Sequence, residues 1–317
     1  MNDGTSRAHN DAGNGAGARE TSGAIVPSGA DAAAREFERH RSVLFTLVYE
    51  LLGSAADADD VVQETWLRRQ RVTGPVEHER ALLCRIATRV ALNAMRAQAR
   101  RREDYVGPWL PEPIAVSPDV LDDVVLAESV SQATLAVLET LSPEERAAFV
   151  LTEVFGSTAA EAGEALERSE ASVRQLAHRA RDRLREGRPH RRAGATPEVW
   201  HAFTSAIRAG DLAATTALLT GDSVLVSDGG GKVSSARRPV LGAENIARFL
   251  LGLATQHPDI SIDLVPVNGE HALLVREDGA VSLVLFLETG DGGIRTVRIM
   301  RNPEKLGRLE KPVAIAR

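Results

Sequence analysis

Between residues 31 and 105, apolar side chains return every three or four positions in three successive stretches, the spacing of amphipathic helices. Phe37, Leu44, Leu47, Val48, Leu51 and Leu52 share one face of the first, and Gly53 stands where a helix commonly ends in a left-handed residue. Asp57 is placed to cap the second, with Asp59, Asp60 and Glu64 near its positive end and Val61, Val62, Trp66 and Leu67 as its apolar stripe. After Gly74 and Pro75 a third helix is predicted over roughly 78–102, with Leu82, Leu83, Ile86, Val90 and Met95 facing inward.

Residues 106–125 break the pattern. Pro108, Pro111, Pro113 and Pro118, interspersed with acidic residues, suit an extended connector. Helical signals resume in 126–192: Ser142-Pro143-Glu144-Glu145 reads as a capping box with proline at the first helical position, Gly156 closes that helix, and Thr158 with Glu161 repeats the box. Ser169 can cap a last helix whose Val173, Leu176, Ala177, Ala180 and Leu184 face inward, so two short helices joined by a tight turn are expected. From 193 onward the period changes. Thr196-Pro197-Glu198 opens a helix with Val199, Trp200, Phe203 and Ile207 on one side, ending at Gly210. Runs rich in Val, Ile and Leu at 223–227, 261–267, 272–276, 280–287 and 294–300 read as strands, with a helix over 243–253 between them. The expected fold is multidomain. A disordered tail over 1–30 precedes an all-α three-helix module over 31–105, the connector, an all-α helix-turn-helix module over 126–192, and an α+β domain over 193–317 with a curved sheet wrapped over helices.

Composition narrows the setting. A chain of 317 residues with 43% hydrophobic side chains can bury more than one core. Its one cysteine, Cys84, cannot form an internal disulfide, and no apolar run reaches the roughly 18 residues of a membrane span. A soluble, reducing, cytoplasmic setting without membrane partners is expected, and no metal or cofactor is expected. The net charge of −6 argues against nucleic acid when taken as a sum, because Lys and Arg neutralising phosphates usually dominate affinity. Its distribution argues the reverse: 168–192 holds nine arginines against Glu170, Asp182 and Glu186, and 80–102 holds seven with no acidic residue.

On the last helix of the second module, Glu170, Ala171, Arg174, Gln175, His178, Arg179 and Arg181 point away from the apolar face. Arginine can bond a guanine edge bidentately and glutamine an adenine edge, which is what a recognition helix in the major groove needs. Arg181, Arg183 and Arg185 suit phosphates, which fix register without reading sequence.

The stretch Asp57-Ala58-Asp59-Asp60-Val61-Val62-Gln63-Glu64-Thr65-Trp66-Leu67 resembles the acidic-aromatic helix by which extracytoplasmic-function (ECF) sigma factors grip the RNA polymerase clamp, and the Arg-rich helix after it resembles their minus-ten reader. Leu141-Ser142-Pro143-Glu144-Glu145-Arg146, continued by 169–181, is similar to their region four, which binds the minus-35 element. Trp109-Leu110-Pro111-Glu112-Pro113, Asp228-Gly229-Gly230-Gly231-Lys232 and Asn302-Pro303-Glu304-Lys305-Leu306 resemble the subfamily with a fused C-terminal SnoaL-like domain, the sigma-J type, so the likeness spans 35–307.

That resemblance implies sigma region 2 over 31–105, region 4 over 126–192 and a cone-shaped, NTF2-like regulatory domain over 193–317. It implies three partners: core RNA polymerase through its clamp and flap surfaces, promoter DNA, and the chain's own C-terminal domain in cis. By the same resemblance Asp59, Asp60, Glu64 and Trp66 meet polymerase, Arg89, Arg96, Arg100, Arg101 and Arg102 track promoter strands, and Ala171, Arg174, Gln175, His178, Arg179 and Arg181 bind the minus-35 element. The loop 71–79 falls where a minus-ten base is flipped out, though it carries no aromatic residue. Trp109, Leu110 and Pro111, the 228–232 string, and Asn302, Pro303, Lys305 and Leu306 become regulatory contacts between domains. Two departures stand out: Glu167 where many helix-turn-helix motifs have glycine, and Glu304 where the subgroup has aspartate.

An isomerase of SnoaL-like shape needs a general base and an oxyanion donor, often Asp with Tyr. The only tyrosines, Tyr49 and Tyr105, precede the domain, while Asp228, His201 and His257 equally suit a turn, an exposed helix position and a pre-proline loop, so no enzyme is expected. The 228–232 string lacks P-loop spacing and reads as a loop of close backbone approach, with Lys232 available to the acidic connector or to 57–64. Two other classes stay open from the residues: a polymerase-independent helix-turn-helix regulator, and a ligand-sensing or enzymatic pocket fused to a DNA-binding module.

Overall fold

The computed structural model describes residues 29–187, 193–257 and 259–317; the expected tail over 1–28 lies outside them, as do the side chains of Arg100, Arg101 and Arg102. Helices α1 (Gly29–Leu52), α2 (Ala55–Arg69) and α3 (Glu79–Glu103) pack on one another, with Leu44, Leu47, Tyr49 and Leu51 fully buried. Gly53 ends α1 at φ 65°, as its position predicts. The second helix starts earlier than expected. Ser54 rather than Asp57 is its N-cap, because the serine hydroxyl lies three residues ahead of the Asp57 amide and accepts from it at 3.2 Å. Asp57 turns instead to Gln98, whose Nε2 donates to it at 2.8 Å. Leu67 is exposed and Leu82 only half-buried, so the inward stripes are narrower than the sequence suggested.

The expected connector ends early, in a 3-10 turn over Pro118–Asp122, and α4 (Val124–Val130) and α5 (Gln132–Leu138) follow, which the apolar spacing did not single out, then α6 (Pro143–Phe149), prolonged by a π-type turn over Val150–Val154. Helices α7 (Ala159–Leu166) and α8 (Glu170–Gly187) complete the helix-turn-helix, and both expected capping boxes form. Glu167 adopts the left-handed conformation (φ 55°, ψ 45°) where a glycine is usual, so the turn keeps its shape at some backbone strain. The buried side chains of α1–α3 and α4–α8 form one continuous cluster, which joins the two helical modules into a single body.

The remainder is a mixed sheet with helices. After β1 (Ala193–Gly194) come α9 (Pro197–Arg208), α10 (Leu212–Ala217), β2 (Leu219–Asp228), β3 (Val240–Leu241) and α11 (Ala243–Gln256). Four long strands follow: β4 (Ile260–Val267), β5 (Glu270–Glu277), β6 (Ala280–Gly290) and β7 (Gly293–Met300). The order is β3-β2-β7-β6-β5-β4 with β1 on β6, and only β2 and β7 run parallel. Trp200, Phe203, Ile246 and Leu250 of α9 and α11 cover one face, against Leu225, Leu285 and Val297. Leu274, Val284, Phe286 and Met300 on the other face pack against Leu110 of the connector and against Leu306 and Leu309. With both faces covered, β6 is buried continuously from Leu283 to Glu288 rather than alternately.

Candidate nucleic-acid interface and interdomain contacts

The recognition helix of the motif, α8, presents Ala171, Arg174, Gln175, His178 and Arg179 to solvent. Several of its basic side chains already have carboxylate partners. Arg174 pairs with Glu170, His178 with Asp182 at 2.8 Å and Arg181 with Glu153 at 3.3 Å. Arg179 and Arg183 share Glu145 at 3.2 and 2.5 Å. Burial alone would raise Glu145, but hydrogen bonds from Ser142 and these arginines hold it below the usual carboxylate range.

Three arginines of α3 are likewise paired, although Arg89 and Arg96 remain partly exposed. Arg89 donates to the backbone oxygen of Glu164 at 2.8 Å and pairs with Glu167 at 3.3 Å, using carbonyls left free at the C-terminus of α7. Arg85 pairs with Glu164 and Arg96 with Glu144, each at 2.9 Å. The basic face of the first module thus lies against the acidic helix ends of the second. Arg100 and Arg101 continue α3, with side chains outside the described residues.

On α2, Asp59 is paired with Arg308 and sits 3.7 Å from Arg41, Glu64 pairs with Arg68 at 2.7 Å, and Asp60 is exposed. Trp66 is half-buried and packs on Phe37, ring centroids 5.0 Å apart, so its ring belongs largely to the core edge. Arg308 opens a C-terminal segment that runs back across the helices. Val313 N donates to Ala115 O at 2.8 Å, Ala316 N to Thr46 Oγ1 at 3.0 Å, and Arg317 pairs with Asp123 at 3.2 Å.

The three strings singled out in the sequence meet around Asp228, which is fully buried at the end of β2 rather than a free turn residue. Its Oδ1 accepts from Tyr105 Oη at 2.6 Å and Gly230 N at 3.0 Å; its Oδ2 accepts from Leu110 N at 2.9 Å and Lys305 Nζ at 2.8 Å. Lys305 also donates to Leu110 O at 2.7 Å and lies 4.1 Å from the centroid of the Trp109 ring. Asn302 donates to Tyr105 Oη at 2.9 Å. Burial and the Asp228 hydrogen bond push the Tyr105 hydroxyl well above its ordinary pKa, so it stays a donor. Pro111 is buried beside this knot, Pro303 starts the short turn that presents Lys305, and Leu306 packs below it. Gly229 backs onto Ser235 and Val233, Gly230 onto Asn302 and Gly231 onto Val106, each too close for a Cβ to enter without displacement. Lys232 does not reach the connector or α2; it pairs with Glu304 at 2.9 Å, because the loop turns it toward the 302–306 segment.

A second knot was not anticipated. The β4–β5 turn, Asn268-Gly269, inserts between the helical modules. Asn268 is fully buried, and its Nδ2 donates to Tyr49 Oη at 2.6 Å and Val130 O at 2.9 Å. Its Oδ1 accepts from Ile114 N at 3.0 Å and Gln132 Nε2 at 3.2 Å. A side chain on Gly269 would lie 2.5 Å from Ala127 Cα. The asparagine-glycine pair between two apolar runs was the available signal, since it favours a tight hairpin with positive φ. Glu112 was also underrated: its carboxylate accepts from Ala55 N at 2.8 Å and from Ala56 N and Ser54 Oγ at 3.2 Å, at the positive end of α2. Burial raises it even so.

A family model described as Sigma-70 region 2 matches residues 37–101, and one described as Sigma-70, region 4 matches residues 131–184. The chain is 37% identical over 287 residues to the ECF RNA polymerase sigma factor SigJ of Mycobacterium tuberculosis (strain ATCC 25618 / H37Rv), covering 85% of this chain and 92% of that protein. It is 31% identical over 288 residues to the probable ECF RNA polymerase sigma factor SigI of Mycobacterium tuberculosis (strain CDC 1551 / Oshkosh), covering 87% and 95%. The crystal structure of the Mycobacterium tuberculosis extracytoplasmic function sigma factor SigJ matches with a TM-score of 0.70 at 34% identity, covering 87% of this chain and 99% of that one.

Proposed function

The chain belongs to the extracytoplasmic-function RNA polymerase sigma factors, and from that membership we propose that the arrangement described above is the factor's closed form, with its C-terminal domain acting in cis as a clamp. The observation that carries this reading is the pairing of Arg85, Arg89 and Arg96 with Glu164, Glu167 and Glu144. These arginines serve promoter DNA only after the second module swings away, since an arginine cannot neutralise a phosphate and a carboxylate equally well in one position. On opening, Arg89 and Arg96, with Arg100 and Arg101, track the minus-ten strands, and Ala171, Arg174, Gln175 and His178 read the minus-35 major groove. Arg179 and Arg181 hold phosphates there.

Core RNA polymerase engages the α2 face through Asp59, Asp60 and Glu64, with Trp66 supporting that face from within. The Asp59–Arg308 pair and the 306–317 segment cover part of it in the closed form. The Asp228 and Asn268 knots hold the connector and both helical modules to the sheet domain. The domain serves as a clamp rather than as a catalyst, because Asp228, the carboxylate best placed to be a base, is buried and already accepts four hydrogen bonds. Such a factor works in the cytoplasm, where polymerase and promoters are.

Run-off transcription with core polymerase on a cognate promoter tests the reading. Full-length protein is expected to initiate only with core present, and Arg174→Ala is expected to lose initiation. Glu144→Lys together with Glu164→Lys places like charges against Arg96 and Arg85, and is expected to raise initiation at limiting core without touching a DNA-reading residue. Absence of core-dependent initiation overturns the sigma-factor reading; unchanged initiation in the Glu144/Glu164 variant overturns the closed form.

A further inference from the structure

The seam between the two helical modules holds a carboxyl group with too few donors around it to carry a charge. Glu50, near the end of α1, is fully buried and faces Ser129 of α4 and Arg146 of α6. Ser129 Oγ lies 2.7 Å from Glu50 Oε1 and 2.9 Å from Leu126 O, and a serine hydroxyl has one hydrogen to share between them. Glu50 Oε2 is shut off from solvent and has no hydrogen-bond partner among the described residues. The cation at hand is committed elsewhere. Arg146 donates through Nη1 to Glu139 at 2.6 Å, and through Nε to the backbone oxygen of Glu50, not its carboxyl, at 2.7 Å.

The other ionisable groups on the surrounding elements do not supply what is missing. Tyr49 donates to Glu112 O, and the Glu112 carboxylate is taken up by the amides that open α2. Glu144 and Glu145 of α6 are turned to Arg96 and Arg179, while Glu128 of α4 and Glu153 of the π-type turn are exposed. Arg146 and Glu139 thus balance one another, and a charge on Glu50 would be unmatched. A buried carboxylate in that position is costly, and the group avoids the cost by keeping its proton. Burial accordingly raises Glu50 to about 8, against smaller lowering by Ser129 and Arg146.

We propose that Glu50 is a proton-held latch between the modules: the closed form keeps its carboxyl neutral, and separation of α1 from α4 and α6 hands the proton to water. The proposal rests on the closed-form reading and adds a condition that governs it. Once the modules part, Glu50 returns to the ordinary glutamate range, so opening releases one proton. Below that range both forms hold the proton and pH has no effect. Between it and about 8, opening becomes more favourable by up to about tenfold per pH unit, and above about 8 both forms are ionised and the effect levels off.

The test is single-molecule energy transfer in the full chain, with dyes on Thr73→Cys and Ala160→Cys, exposed positions of the first and second modules, and Cys84→Ala to remove the native thiol. The ratio of open to closed molecules is expected to climb by up to about tenfold per unit from pH 6 to 7.5, to level off above 8, and to lose this rise in Glu50→Gln. Infrared difference spectra at pH 7 should show the carbonyl stretch of a protonated carboxyl in the native chain and not in Glu50→Gln. A closed chain whose opening ignores pH, an equal rise in Glu50→Gln, or absence of that band would each overturn the proposal alone. A chain open at every pH would overturn the closed-form reading and the latch with it.

Discussion

Replacing Asp228 by asparagine changes one atom's chemistry at the point where connector and sheet domain meet, and its cost can be worked from the hydrogen bonds. The amide keeps one acceptor. Directed at Leu110 N and Lys305 Nζ, that oxygen preserves both of those contacts, and the new NH₂ then faces Tyr105 Oη and Gly230 N, two groups that donated to the carboxylate. Tyr105 Oη can turn to accept, but Asn302 already donates to it, and Gly230 N is left without an acceptor. Lys305, 13% exposed, loses its countercharge, although it keeps the amide oxygen, Leu110 O and the faces of the Trp109 and Tyr105 rings. Breaking one side of a buried pair costs about 3–5 kcal/mol, and the contacts that remain place Asp228→Asn near the lower end. The assay is urea unfolding of full-length protein in which Trp66 and Trp200 are Phe, so that Trp109 reports on the connector. Asp228→Asn and Lys305→Met should each lower stability by about 3 kcal/mol, and the double variant should cost at least about 1 kcal/mol less than their sum. Single effects below about 1 kcal/mol, or strict additivity, would refute the assignment of Asp228 and Lys305 as a coupled pair.

Three further outcomes are expected. Gly269→Ala puts a Cβ against the Ala127 backbone at a φ of 67°, so the thermal midpoint should fall by an amount corresponding to about 2 kcal/mol or more, and Ala127→Gly should not restore it because the clashing atoms are main chain. Glu50 is fully buried, accepts from Ser129 Oγ at 2.7 Å, faces Arg146 and Tyr49, and is pushed by burial up to about 8. The folded chain therefore binds one more proton than the unfolded chain between the ordinary glutamate range and pH 8, and stability falls as pH rises through that window, by up to about 1.4 kcal/mol per unit. Glu50→Gln should flatten that slope in denaturation curves at pH 5 to 8.5 and stabilise the protein at the alkaline end. Arg308→Ala frees Asp59 from a partly exposed pair worth less than about 1 kcal/mol, so affinity for core polymerase, measured by fluorescence anisotropy, should rise by no more than about fivefold and should not fall.

What could be read from the chain and what could not separate by sequence distance. The capping boxes at Ser142 and Thr158, the left-handed Gly53 and the strands with their bounding Gly and Asp depend on neighbours within a few residues, and they stand where expected. Ser54 against Asp57 was lost on a detail of the same kind, two eligible caps three residues apart. The site is different, because its contacts join residues 118 to 219 positions apart: Asp228 with Leu110, Asn268 with Tyr49. Tyr105 was set aside because it precedes the sheet domain, yet it supplies the hydroxyl that Asp228 holds. Glu164 and Glu144 carried no sign that they would occupy the arginines of α3. The glycines of 229–231 show where the boundary lies. Their reading as a place of close backbone approach was sound, since three adjacent glycines permit what other residues forbid. Gly229 meets Ser235 and Val233 of its own loop, whereas Gly230 meets Asn302 and Gly231 meets Val106, so the last two glycines answer to contacts that only the assembled fold makes.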